Sequence, residues 1–172
     1  MNEARQFISF FLEDRLYGLD IRIVKEINTN TRLTEVPRTA PHIRGLVNIR
    51  GQVVLVMDIA VIFGRRPRPV TGLSQVVILK TAAEIRAVRG PSDSLDPTPF
   101  GDRAVSFLVD RIGDVTGVSA GGIEPVPAHV EEANARYFAG VIRQPEGLQM
   151  ILDAGALLTE PAWALGGAQE WF

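Results

Sequence analysis

Ile43-Arg44-Gly45-Leu46-Val47-Asn48-Ile49-Arg50-Gly51-Gln52-Val53-Val54-Leu55-Val56-Met57-Asp58-Ile59 is the stretch on which the fold turns. Ile43, Gly45, Val47 and Ile49 fall on one face of an extended chain, and Arg44, Leu46, Asn48 and Arg50 on the other. That second face is too polar for a core. Gly51 separates this strand, Ile43 to Arg50, from a second, Gln52 to Ile59, and a short helix follows that stops at Gly64. Elsewhere, too, short apolar runs are divided by Gly, Pro, Asn and Asp, and long amphipathic helices are missing. The pattern predicts an all-β protein of the sandwich or barrel kind.

Upstream, Phe7 to Leu12 and Leu16 to Asp20 flank Glu13-Asp14-Arg15 and read as a β-hairpin. Ile21, Val24 and Ile27 recur at helical spacing, which predicts one or two helical turns before Leu33 to Val36. Downstream, Arg65 to Gly72, with Pro67 and Pro69, reads as an internal linker, and its cations Arg65, Arg66 and Arg68 as a solvated cluster.

After the linker the pattern starts again. Asp20 precedes Val36-Pro37 by sixteen residues, as Asp110 precedes Val126-Pro127; Gly45 precedes Asp58 by thirteen, as Gly140 precedes Asp153. Phe63 and Leu158 each follow their aspartate by five. Val76 to Lys80 and Ala104 to Val109 then form the second opening hairpin, its turn replaced by an insertion, Thr81 to Arg103. The expectation is two similar small barrels, one over about 16–64 and the other over about 73–158. With Gly90, Pro91, Pro97 and Pro99, the insertion 81–103 reads as a flexible loop, and 159–172 as a tail.

Composition narrows the function. The 172 residues are 46% hydrophobic, enough for a core, and carry a formal net charge of −2, so no overall positive field collects nucleic acid. Cysteine is absent, which removes disulfides and thiolate chemistry. The polar start Met1 to Arg5 leads into an apolar run too short for a membrane span, which places the chain in the cytoplasm. His42 and His129, the two imidazoles, lack partners at ligand spacing, and no phosphate-binding glycine loop occurs, so neither a metal nor a cofactor is expected.

Gly117-Val118-Ser119-Ala120-Gly121 matches the G-x-S-x-G string of serine hydrolases. Gly122, Pro125 and Pro127 forbid the helix that a nucleophile elbow needs, so the string reads as a glycine-rich turn and no catalytic residue is expected. A double barrel that binds nucleic acid is the other alternative, and the charge balance opposes it.

Tyr17-Gly18-Leu19-Asp20-Ile21, Val24-Lys25-Glu26-Ile27, Val36-Pro37, Ile43 to Gly51 and Val54 to Ile59 resemble the CheW coupling proteins of bacterial chemotaxis. Leu108-Val109-Asp110, Ile123 to Pro127, Tyr137 to Val141, and Ile151-Leu152-Asp153 with Leu157-Leu158 continue the likeness, which spans about Gln6 to Leu158. The resemblance implies a pair of five-stranded SH3-like β-barrels. It further implies a non-catalytic adaptor that links the cytoplasmic tips of chemoreceptors, the methyl-accepting chemotaxis proteins, to the regulatory domain of a CheA-type histidine kinase. Such an adaptor is recruited to membrane-associated receptor arrays without inserting into the membrane, and binds neither cofactor nor nucleic acid. The family's signature Glu and Arg fall on Glu26 and Arg50, and the receptor-facing set carried over is Glu26, Arg50, Val24, Gly45 and Asn48. Physically, the planar Arg50 fork suits the Glu26 carboxylate, although an ordinary surface ion pair gives the same pattern. Receptor binding is expected on the first barrel, the second walling a groove between them. Leu55 stands where the family often has proline and Ala60 where a basic residue often follows the strand. Glu170-Trp171-Phe172 only faintly resembles an aromatic receptor tether, and reads as packing or a disordered end.

Overall fold

The computed structural model describes residues 5–90, 94–130 and 132–159. Among them lie ten strands: β1 (Arg5–Leu12), β2 (Arg15–Asp20), β3 (Val24–Asn28), β4 (Ile43–Ile49), β5 (Gln52–Met57), β6 (Gln75–Leu79), β7 (Val105–Val109), β8 (Arg111–Val118), β9 (Phe138–Gln144) and β10 (Gly147–Leu152). Four short helices follow or interrupt them: α1 (Ile59–Ile62), α2 (Ala82–Val88), α3 (Glu132–Ala135) and α4 (Ala154–Leu158). The strands form two five-stranded sheets, ordered β3-β6-β7-β5-β4 and β8-β1-β2-β10-β9.

These orders correct the contiguous division at 16–64 and 73–158. The hairpin β1–β2 joins the sheet of the second half, with β2 parallel to β10, while β6 and β7 join the sheet of the first half, with β7 parallel to β5. The halves exchange their opening hairpins. Both faces of these hairpins are apolar, so the sequence pattern carries no information about which sheet receives them.

Burial shows what the exchange achieves. Period-2 alternation divides β5, β6 and β7 between two cores: Leu55, Met57, Val77, Leu79 and Phe107 enter the largest apolar cluster, whereas Val54, Val56, Val76, Ile78 and Leu108 fill the first barrel's own interior. From the second sheet, Phe10, Leu12, Tyr17, Leu19 and Leu152 meet the same large cluster, and Phe7, Ile142 and Ile151 fill the second interior. The largest core therefore lies between the barrels. Phe63, just after α1, has its ring centroid 5.2 Å from that of Phe138 and 5.9 Å from that of Tyr17. Over this extent the expected groove is filled with side chains.

The repeat is visible in the backbone. Gly45 has φ +141° and Gly140 φ +157°, and a Cβ on either would sit 2.4 Å from the Thr34 carbonyl oxygen or 2.6 Å from that of Glu124. At both places a two-hydrogen-bond bridge, Thr34 with Leu46 and Glu124 with Val141, ties a loop to the strand. Asp58 and Asp153 each cap the following helix, accepting from Ala60 N and Ala156 N. Asp20 and Asp110 are the exception: in sheet register Asp20 aligns with Leu108, two residues away, since Gly18 pairs with Ile151 as Ser106 pairs with Val56.

Three local expectations are also corrected. After Asp20 only Ile21–Ile23 form a helical turn, of 3-10 type, capped through the Arg22 N to Asp20 hydrogen bond of 2.9 Å; Val24 and Ile27 then continue as β3, as suits β-branched residues. The segment 81–103 is not simply a loop. Thr81 and Glu84 form a capping box that starts α2, Ile85 and Phe100 are buried, and Ala82 N donates to the Gly101 carbonyl at 2.7 Å. Nor is the linker cluster merely solvated: Arg65 meets Glu13 at 2.5 Å and Arg68 meets Asp110 at 3.0 Å, pinning 65–68 to the turns that leave β1 and β7.

Candidate functional site

β4 and β5 are joined by the two-residue turn Arg50-Gly51, with Ile49 opposite Gln52. Both turn residues have positive φ, +51° and +86°, the combination of a type I′ hairpin turn. Arginine is a costly occupant of that conformation, because its Cβ crowds the backbone. Its side chain crosses to β3 and donates to Oε2 of Glu26.

An asparagine relay surrounds the pair. Asn28 Nδ2 donates to Glu26 Oε1 at 3.3 Å, and Asn30 N to Asn28 Oδ1 at 2.8 Å. Asn30 Nδ2 donates to the Asn48 carbonyl at 2.9 Å, and Gly51 N to Asn48 Oδ1 at 2.8 Å. Strand β3, its following loop and the β4–β5 turn are thereby held as one unit. The Arg50 hydrogen bond keeps the Glu26 carboxyl below its ordinary range, and the same bond raises the Arg50 guanidinium. Two-thirds of the Arg50 side chain is exposed against about a quarter of Glu26, so the cation is the part offered outward.

Of the five carried-over residues, Glu26, Arg50 and Asn48 converge. Val24 and Gly45 stand apart from them: Val24 packs against the core between the barrels, and Gly45 is buried on the inner face beside Thr34. Asn28 and Asn30 belong to the site, although the sequence reading does not single them out. Their signal is the polar run Asn28-Thr29-Asn30-Thr31 directly after a strand. Lys25, next to Glu26, is ion-paired with Glu84 of α2 at 2.9 Å, bracing the inserted helix against β3.

The other sequence candidates assemble nothing comparable. Ser119 is exposed and precedes a 3-10 turn, and Glu124 is occupied by Arg143 at 2.7 Å. Among the described residues no group of three His, Cys, Asp or Glu could hold a metal ion, and no helix is long and apolar enough to cross a membrane.

Residues 6–162 match the family model of the CheW-like domain. The chain belongs to the CheW-like domain family. Chemotaxis protein CheW of Klebsiella aerogenes is 27% identical over 94% of this chain and 86% of its own length. That of Bacillus subtilis is 25% identical over 90% and 87%. A crystal structure of the scaffolding protein TtCheW from Thermoanaerobacter tengcongensis superposes with a TM-score of 0.68 at 23% identity, covering 89% of this chain and 86% of that one. The CheW fold is thus shared across both sheets, and the Glu26–Arg50 pair stands on the CheW-like scaffold's first barrel.

Proposed function

We propose that the chain is a non-catalytic adaptor of chemotaxis signalling, which binds the cytoplasmic tips of chemoreceptors and the regulatory domain of a CheA-type histidine kinase. Its receptor-facing surface is centred on Glu26, Arg50 and Asn48. The adaptor works in the cytoplasm and is recruited to membrane-associated receptor arrays.

The observation that carries this reading is the preorganised turn. A cation on a strained, hydrogen-bonded hairpin loses little further freedom on binding, so it can select an acidic or carbonyl-rich partner surface at small entropic cost. The type I′ turn imposes positive φ on whichever residue follows Ile49, so Arg50 holds a place that Asn or Gly would fill at lower backbone cost.

Purified protein is expected to co-sediment with receptor cytoplasmic fragments and kinase. Arg50→Glu should weaken receptor engagement while leaving the β-sheet circular dichroism unchanged. Wild-type assembly by that folded variant would remove Arg50 from the interface.

A further inference from the structure

Among the described residues three polar side chains are buried within strands: Ser9 of β1, Ser106 of β7 and Gln149 of β10. The other buried polar residues, His42, Asp58 and Ser74, lie outside strands. All three strand residues lie at contacts between an exchanged hairpin and the half that receives it. At the β2–β10 junction, Gln149 Nε2 donates to Ser9 Oγ at 2.9 Å and to the Tyr17 carbonyl at 3.3 Å, and Gln149 Oε1 accepts from Gln144 Nε2 at 3.0 Å. Ser9 Oγ lies 3.0 Å from Thr116 Oγ1, so one chain of hydrogen bonds touches every strand of the second sheet. Gly18 leaves room for it, because a Cβ there would lie 2.7 Å from Gln149 Nε2. The β5–β7 junction is built differently: Ser106 Oγ donates to the Leu55 carbonyl at 3.0 Å.

Register sets the two junctions in correspondence. Gly18 pairs with Ser9 and Ile151, as Ser106 pairs with Ile78 and Val56. Two residues before Ile151 and Val56 stand Gln149 and Val54. Ser9, Gly18 and Gln149 therefore occupy the places of Ile78, Ser106 and Val54, of which Ile78 and Val54 belong to the apolar interior of the first barrel. Neither set fits the other's half. With β6–β7 laid against β10, the Gln149 carboxamide would run into the Ser106 side chain and face Ile78 instead of a hydroxyl, leaving a buried amide short of partners. With β1–β2 laid against β5, Ser9 would be buried against Val54 and the space at Gly18 would stand empty. We propose that these two unlike sets dictate the exchange of hairpins, by making the division into contiguous halves costly where the apolar pattern leaves the choice open.

Ser9→Ile with Gly18→Ser and Gln149→Val makes the two junctions alike. Full-length parent protein, unfolded in urea and refolded, should give one set of amide resonances by NMR, with the backbone contact between Tyr17 and Met150 that the register requires. The triple variant treated in the same way should give a second set, in which Tyr17 contacts Leu55, the counterpart of Met150. A single set that keeps the Tyr17–Met150 contact in the triple variant overturns the proposal. A smaller pair of variants keeps the test decisive if the triple variant does not fold. Gly18→Ser alone should lower the urea midpoint, and adding Gln149→Val should restore most of the loss, because valine leaves the serine the room that Val54 leaves Ser106. Absence of that restoration also overturns the proposal.

Discussion

Arg44 donates a 2.9 Å hydrogen bond to Oδ2 of Asp58, whose side chain is wholly buried and also caps α1 through Ala60 N. Asp153, the matching residue of the second half, caps α4 but is exposed. The two aspartates share a backbone role and differ in burial. Asp58→Ala should therefore cost about 3 kcal/mol, because it strands a largely buried guanidinium as well as losing a cap. Asp153→Ala should cost about 1 kcal/mol, the loss of a cap alone. Urea denaturation of both variants checks the ratio.

Gly45→Ala and Gly140→Ala should each destabilise by more than about 1 kcal/mol, since both positions combine positive φ with a carbonyl oxygen in the way. Gly72→Ala serves as the control, because nothing lies near its added Cβ and its φ is not positive. Equal urea midpoints for all three variants would contradict the tight bridges at Thr34 and Glu124.

Arg50→Asn separates stability from recognition. Asparagine tolerates a left-handed backbone, and Asn-Gly is a favoured type I′ pair, so the urea midpoint should rise modestly. Receptor co-sedimentation should fall, since the exposed cation and its bond to Glu26 are lost. A variant both more stable and equally competent would detach the strain at Arg50 from function.

Four carboxylates titrate below their ordinary values of 4.5 for glutamate and 3.8 for aspartate: Glu26, Glu84, Asp20 and, through its hydrogen bonds from Thr98, Asp96. The Arg50 hydrogen bond lowers Glu26. Burial alone would raise Glu84 and Asp20, but Lys25 with the Thr81 cap, and Arg22 with Arg5, outweigh it. Depressed native values mean that the folded chain holds fewer protons than the unfolded one. Their contribution is full above the ordinary values and is lost as the pH falls through them toward the native ones, from about pH 5 downward. Urea midpoints against pH should show this acid-side decline, and Glu84→Gln should flatten part of it.

Much of the fold is legible in the order of residues along the chain. The alternation of Ile43 to Ile49, the paired Gly-to-Asp spacings and the Gly51 turn are local or repeated features, and each reappears as a strand, a bridge with a capped helix, or a type I′ turn. The capping box Thr81-x-x-Glu84 is equally readable, yet the surrounding prolines obscure it. Within the site, Glu26 and Arg50 are reached through the family resemblance, whereas the Asn28 and Asn30 relay is not, because its partner Asn48 lies eighteen residues from Asn30 and nothing local marks the contact.

By itself the sequence determined an all-β chain with a twofold repeat, and its family resemblance pointed to Glu26 and Arg50. Only the tertiary structure decided that β1–β2 and β6–β7 change places between the halves, that the largest core lies between the barrels, and that Arg65 and Arg68 close ion pairs with Glu13 and Asp110. The physical reason is that alternation and spacing are written along the chain, while the choice of partner for a strand buried on both faces depends on what lies across it, which a local pattern does not encode.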